Sequence, residues 1–132
     1  DIQVTNLNDH SSQGDRAIAS ILKSDDQSPV ISAKDIPDLI PILAVYFAAN
    51  GGAVFTDVAR LRLKESDRIA SVTKLLCTLG IEAESTDNTL TVCNGRYASG
   101  VVDACNDHRI AMAAAIAATV ASGPVTILGA EP

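Results

Sequence analysis

Aromatic residues are nearly absent from this 132-residue sequence: tryptophan is missing, and Phe and Tyr together make up 3% of it. Hydrophobic residues still make up 47%, so we expect a core of Ala, Ile, Leu and Val side chains. Positive charge is also scarce, since 10 Lys and Arg face 16 Asp and Glu and the net charge is −6. This balance argues against general nucleic-acid binding, which needs a basic surface. A few local cations can still form a pocket for a small anion.

The sequence also lacks a CxxC pair and an apolar run of membrane-spanning length. Its cysteines, Cys77, Cys93 and Cys105, are widely spaced, which favours reduced thiols in an intracellular protein over zinc ligands or a disulfide. The longest apolar run, residues 110–121, is too short to span a bilayer, and we recognise no signal peptide. We therefore expect a cytoplasmic protein with no membrane partner and no nucleic-acid partner.

Apolar periodicity predicts a mixture of strands and helices along the whole chain. Strands are predicted at residues 2–7, 30–31, 53–58, 81–84, 89–93 and 125–128, and helices at residues 15–23, 38–50, 65–79 and 107–121. The strands at 81–84 and 89–93 are expected to form a hairpin. The helix at 107–121 is apolar on nearly every side, so we expect it to be buried all round. Residues 1–132 are thus predicted to form a single domain of the α+β class.

The first charged cluster surrounds Asp38 in the segment D-I-P-D-L-I-P at residues 35–41. One interpretation is helix capping, with Asp38 as the N-cap and Pro41 in the first turn. The other is a carboxylate at a strand-to-helix junction, where it can accept a proton from a hydroxyl group. A single residue can serve in both roles.

The second cluster is the run R-L-R-L-K-E-S-D-R, which begins at Arg60. Arg60, Arg62 and Lys64 alternate, so an extended segment would place them on one face. Lys64 and Arg68 are four residues apart, which places them on one side of a helix that starts near Glu65. A solvated, salt-bridged helix end is one interpretation. An anion pocket is the other, because Arg forms bidentate pairs with phosphate or carboxylate and a helix N-terminus adds free N–H groups.

The third cluster is the segment N-D-H-R-I, which begins at Asn106. Asn106 or Asp107 suits the N-cap of the helix that follows. His108 and Arg109 then lie in the first turn, where the helix macrodipole disfavours cations. Arg109 therefore requires an anion, for which the candidates are Asp107, Glu65 and a ligand. A structural ion pair and a ligand contact explain the pattern equally well.

In this order and at this spacing, P-D-L-I-P, R-L-R-L-K-E-S-D-R and N-D-H-R-I-A-M resemble the second half of the 5-enolpyruvylshikimate-3-phosphate (EPSP) synthases. The segments Q-G-D at 13–15 and I-L-G-A-E at 127–131 are similar to that family too, so the resemblance covers nearly the whole chain. The family fold has two similar domains built from βαβαββ-type repeat units, and this chain is expected to form most of one.

The implied reaction transfers the enolpyruvyl group of phosphoenolpyruvate to the 5-hydroxyl of shikimate 3-phosphate and releases phosphate, a step of the shikimate pathway to the aromatic amino acids. The resemblance implies no metal and no organic cofactor. Carried over by position, it makes Asp38 the carboxylate on the substrate hydroxyl and a candidate base, and Lys64 a second contact to that hydroxyl. Glu65 becomes the proton donor to the methylene carbon. Arg68 and Arg109 become the arginines that bind phosphoenolpyruvate, with His108 beside them; the role of Arg60 stays open.

The chain departs from the family pattern in what it does not contain. It lacks the family's N-terminal lysine segment, Gly-rich loop, Ser-Ser-Gln phosphate site and last active-site lysine, and residues 24–33 are shorter than usual. It starts at Asp1 instead of Met and stops at Pro132, and we interpret both ends as cuts inside a longer protein, although processing can also produce such ends. The chain alone is therefore predicted to fold and to be inactive.

Two other functions stay open at this point. The sister enzyme that acts on UDP-N-acetylglucosamine shares the fold, but it lacks the K-E-S-D-R and N-D-H-R pair. A non-catalytic binding module on the same fold is the other. If the EPSP synthase resemblance is right, the side-chain ends of Asp38, Lys64, Glu65, Arg68 and Arg109 should line one exposed face.

Overall fold

A computed structural model describes residues 3–8 and 10–131. It contains the helices α1 (Ile18–Lys23), α2 (Ile40–Ala48), α3 (Arg68–Thr78) and α4 (His108–Ala118). Its strands are β1 (Val30–Ser32), β2 (Ala53–Thr56), β3 (Ala83–Ser85), β4 (Thr89–Val92), β5 (Gly100–Asp103) and β6 (Val125–Leu128). Short 3-10 turns occur at Gly14–Ala17, Pro37–Leu39 and Ala59–Leu63. None of the helices in the described ranges is long and apolar enough to cross a membrane.

The order β1-α2-β2-α3-β3-β4 is a βαβαββ unit, and β5-α4-β6 repeats its first three elements. The first sheet has the strand order β1-β2-β4-β3, with β1 parallel to β2 and the other neighbours antiparallel. β5 and β6 form a separate parallel pair. The mixture of parallel crossovers and an antiparallel hairpin confirms the predicted α+β class.

The core is aliphatic, as the composition predicts. In β2, Ala53 and Phe55 are buried while the residues between and after them are half-buried, and the partners of this pair in β4 are Val92 and Leu90. This buried face of the sheet lies in the same hydrophobic core as the apolar sides of the helices, and α2 packs against both α3 and α4. The sheet and helices thus enclose one continuous core.

The third helix begins later than expected. α3 starts at Arg68 and not at Glu65, because the carboxylate of Asp67 accepts a hydrogen bond from the N–H of Ala70 and caps the helix. The preceding residues form the 3-10 turn Ala59–Leu63. The two geometries predicted for this segment, an extended strand and a helix containing both Lys64 and Arg68, are therefore wrong.

The fourth helix is not buried all round. Ile110 is fully buried, but Met112, Ile116 and Val120 are 52%, 50% and 60% exposed. Small alanines form most of the face of α4 that is packed in the core, so large apolar residues are left on the outer face. The most extensively buried helix is instead α2, in which only two of the nine residues, Ile42 and Tyr46, are not buried.

Two strand predictions also need correction. Residues 3–7 form no strand and are exposed, and Ile2 of that predicted strand lies outside the described residues. An alternating pattern there has no neighbouring strand among the described residues to pair with. Conversely, β5 was not predicted from its four-residue sequence G-V-V-D. The hairpin β3–β4 is confirmed.

Candidate active site

Three loop-to-helix junctions carry the charged residues of the candidate site. β1 and β2 run parallel, so their carboxyl ends lie at one edge of the sheet. The turn after β1 contains Asp38, and the segment after β2 contains Lys64 and Glu65 and leads into Arg68 at the start of α3. The start of α4 adds Asp107, together with its neighbours in the first turn.

The carboxylate of Asp38 is the point on which three cations converge. Its Oδ1 lies 2.8 Å from Nη1 of Arg68 and 3.6 Å from Nζ of Lys64, and its Oδ2 lies 3.5 Å from Nη2 of Arg109. The helix-capping interpretation is wrong, because Asp38 lies inside the 3-10 turn and makes no side-chain cap. Pro41 does lie in the first turn of α2, as expected.

Arg68 is enclosed by three carboxylates. Its Nε and Nη2 lie 3.0 and 3.3 Å from the two carboxylate oxygens of Asp107, while Nη2 also lies 2.6 Å from Oε2 of Glu65 and Nη1 bonds Asp38. The side chain of Arg68 is 1% exposed. Convergence of the predicted residues is thus observed, but the expectation that Arg68 lines an exposed face is wrong.

Asp107 is the site residue that the sequence motifs did not identify. It is fully buried, it is the N-cap of α4, and its Oδ1 accepts the backbone N–H of Arg109 at 2.9 Å. The pattern predicted it as a local cap and as a possible partner of Arg109, whereas its side chain pairs with Arg68, which is 39 positions away. The side chain of Arg109 pairs with Asp38 at 3.5 Å and not with the two carboxylates predicted for it, Asp107 and Glu65.

The ion pairs hold two carboxyls in the charged form. Desolvation raises the pKa of Asp38, but the hydrogen bond from Arg68 and the charges of Lys64 and Arg109 outweigh it, so this pKa lies below its ordinary value. Desolvation also raises the pKa of Asp107, and the hydrogen bonds from Arg68 and from the N–H of Arg109 more than reverse it. Both carboxylates are therefore acceptors at neutral pH.

The remaining candidates lie apart from this cluster. His108 and Arg60 are exposed, and neither makes an ion pair within the residues the structure covers. Arg62 contacts Asp67 at 3.0 Å and the carbonyl of Thr86 at 2.6 Å, so it faces the β3–β4 turn. The alternating cations of the second cluster thus separate instead of sharing a face.

An open cleft lies beside the ion-pair cluster, between α2 and α4. Asp38 and Arg109 form its charged end, and Pro41, Met112 and Ile116 are among its apolar lining residues. The side chains of Arg109 and Lys64 are 32% and 31% exposed, so these two cations are accessible to an anion. The arrangement combines a carboxylate that can accept a proton, a carboxyl group in Glu65 and cations for an anionic substrate.

Comparisons with known proteins give a single family. Residues 1–131 match the family model described as EPSP synthase (3-phosphoshikimate 1-carboxyvinyltransferase). The chain is 40% identical to 3-phosphoshikimate 1-carboxyvinyltransferases of Natronomonas pharaonis, over 92% of its length, and of Clostridium acetobutylicum, over 98%. It spans 32% and 34% of the length of those relatives. A solved EPSP synthase from Acinetobacter baumannii superposes with a TM-score of 0.68 at 32% identity, covering 74% of this chain and 24% of that one. The described residues therefore have the fold of part of a two-domain enolpyruvyl transferase.

Proposed function

The chain belongs to the EPSP synthase (3-phosphoshikimate 1-carboxyvinyltransferase) family, and on this premise we propose that it supplies part of the active site for enolpyruvyl transfer. The substrates are phosphoenolpyruvate and shikimate 3-phosphate, and the products are the enolpyruvyl ether and phosphate. The observation that carries the proposal is the convergence of Lys64, Arg68 and Arg109 on Asp38, with Glu65 bonded to the same guanidinium.

These residues match the chemical demands of the reaction. The hydroxyl oxygen adds to the central carbon of phosphoenolpyruvate, so it must lose a proton, and the methylene carbon must gain one. Asp38 is the proposed base and Glu65 the proposed acid, with Lys64 next to the hydroxyl. Departure of phosphate and loss of one methyl proton then restore the double bond.

The cations provide the anion-binding part of the proposal. Arg109 and Lys64 are accessible and would meet the phosphoenolpyruvate anion first. Arg68 joins this contact only if the incoming anion displaces Glu65, whose side chain is 51% exposed and holds Arg68 by one bond. His108, exposed at the start of α4, would stand at the margin of the same site.

We also propose that residues 1–132 form one unit within a larger domain of the family fold. The chain spans about a third of its relatives, and large apolar side chains are exposed at Met112 and Ile116 of α4 and at Val120 just after it. Exposed apolar patches of this kind are typical of interaction surfaces. The proposed occupant is the remainder of the family polypeptide, because several site residues implied by the family lie outside this sequence.

Phosphate release from phosphoenolpyruvate and shikimate 3-phosphate tests the function. The assay would use this chain alone and a chimera in which it replaces the matching third of the Clostridium acetobutylicum relative, with that relative as the positive control. We expect no turnover by the chain alone, since one wall of a cleft cannot position two substrates, and turnover by the chimera.

Two chimera variants control the assignment. Arg109→Ala should abolish most activity, whereas Arg96→Ala, which removes an exposed arginine outside the cluster, should not. A folded chimera without activity, or equal activity of both variants, would contradict the proposed function.

A further inference from the structure

The buried carboxylate of Asp107 has every acceptor position filled. Its Oδ1 accepts hydrogen bonds from the N–H of Arg109 and from Nη2 of Arg68, and its Oδ2 accepts from Nε of Arg68 and from Oγ of Ser66 at 3.1 Å. A carboxylate offers about four such positions. Three of the bonds come from residues already placed in the candidate site, and only Ser66 has no role there.

The hydroxyl of Ser66 is itself oriented by a hydrogen bond from Ser71. Oγ of Ser71, a side chain that is only 7% exposed, donates to Oγ of Ser66 at 3.3 Å. A serine hydroxyl has one proton to donate, so the proton of Ser66 goes to Asp107. The bonds therefore run in one direction, from the first turns of α3 through the loop residue to the N-cap of α4.

This series of hydrogen bonds leads to two cationic residues of the site, Arg68 and Arg109, through Asp107. Asp107 binds the Nε–Nη2 edge of Arg68, and the two terminal nitrogens, Nη1 and Nη2, also bind Asp38 and Glu65, where an anion would arrive. Asp107 also fixes the backbone of Arg109. Any rotation of this carboxylate therefore turns the guanidinium of Arg68 and disturbs the first turn of α4.

We propose that Ser66 is a positioning residue of the candidate site: its hydroxyl fixes the carboxylate of Asp107 and thereby the orientation of Arg68 toward a phosphate or carboxylate anion. The anion part of this statement rests on the proposed function, whereas the fixing of Arg68 does not. Ser66 contacts no reacting group in this arrangement, and it acts only through Asp107.

The test measures the solvent exchange rate of the Arg68 Nε proton by 15N NMR in the chain itself. Ser66→Ala should raise this rate about tenfold, since a hydrogen bond to a buried charged group is lost. Ser66→Thr retains a hydroxyl and should stay within about twofold of the parent. The matched control is Thr73→Ala, which removes a hydroxyl of α3 that bonds the carbonyl of Ile69 instead, and should leave the rate unchanged.

An unchanged rate in Ser66→Ala, or a threonine variant as fast as the alanine variant, would overturn the proposal. If Ser66→Ala does not fold, Ser66→Cys decides the matter, because its thiol is a much weaker donor to Asp107: faster exchange supports the proposal and an unchanged rate refutes it. In the active chimera, Ser66→Ala should raise KM for phosphoenolpyruvate several-fold more than it lowers kcat. Loss of activity in the parent chimera would count against the proposed function alone, since the exchange rate needs no turnover.

Discussion

Arg62 and Arg68 are the same residue type, lie six positions apart in one charged run, and have opposite surroundings. Arg68 is 1% exposed and is enclosed by three carboxylates. Arg62 is 28% exposed and pairs with one, Asp67, at the rim of the β3–β4 turn. Asp67, the exposed N-cap of α3, binds Arg62 on the surface, whereas Arg68 is the first residue of α3 and its side chain is buried.

This difference in burial determines how strongly a substitution of each arginine affects stability. An exposed pair contributes little to stability, because water and salt screen it. A buried pair contributes little net energy as a pair, but removing one partner leaves an unpaired charge in the core. We therefore expect substitutions near Arg68 to affect both folding and the site, and those near Arg62 to affect neither strongly.

The largest expected difference is between aspartate substitutions at two isoleucines of α4, one buried and one half-exposed. Ile110 is fully buried and Ile116 is 50% exposed. Ile110→Asp should leave the chain unfolded, because an unpaired carboxylate in the core is very costly, while Ile116→Asp should remain folded. Circular dichroism melts of both variants measure the difference. An unfolded Ile116→Asp variant would show that the outer face of α4 is covered.

The next largest difference is expected between methionine substitutions at Arg68 and Arg62. Arg68→Met should lower the free energy of unfolding by about 3–5 kcal/mol, since it leaves Asp107 buried and unpaired. Arg62→Met, the matched control in the same run, should cost about 0–1 kcal/mol. Urea titrations of the two variants would measure this, and equal costs would remove the distinction between the two regions.

Acid should destabilise the folded chain through the carboxylates around Arg68. The pKa values of Asp38 and Asp107 are lowered in the folded chain, so their stabilisation is complete above the ordinary pKa of about 3.9 and is lost as pH falls through the native values. Asp107→Asn should flatten the loss of stability below about pH 4 relative to the parent chain. Unfolding free energies measured between neutral pH and acid would check both slopes.

The sequence identified the site better than it identified the packing around it. The resemblance to the EPSP synthases implied that Asp38, Lys64, Glu65, Arg68 and Arg109 belong to one site, and their side chains do converge. The motifs did not show that Asp107 would hold Arg68, since that pair joins residues far apart in the chain and depends on how α3 meets α4. Local patterns also cannot specify which partner a cation chooses, as the pairing of Arg109 with Asp38 illustrates.

Some predictions of strands and of helix burial were wrong for related reasons. The strand predicted at 2–7 required a neighbour that alternation cannot supply, and β5 has two adjacent valines and no apolar alternation. The outer face of α4 looked buried because apolar residues on a helix do not reveal which face has a partner. By contrast, the β3–β4 hairpin and α2 depend on local turn residues and on continuous apolar runs, and both were predicted correctly.

Steady-state kinetics of two chimera variants test the assignment of separate roles within the Asp38 cluster most directly. Glu65→Gln should lower kcat by roughly 10²–10⁴ with little change in KM, because a lost proton donor acts mainly in the transition state. Arg109→Ala should mainly raise KM for phosphoenolpyruvate, because it removes an accessible cation that binds the anion. The exposed residues Glu84 and Arg96 provide matched controls as Glu84→Gln and Arg96→Ala. If Glu65→Gln and Arg109→Ala show the same kinetic defect, the division of this cluster into a proton donor and an anion-binding cation is wrong.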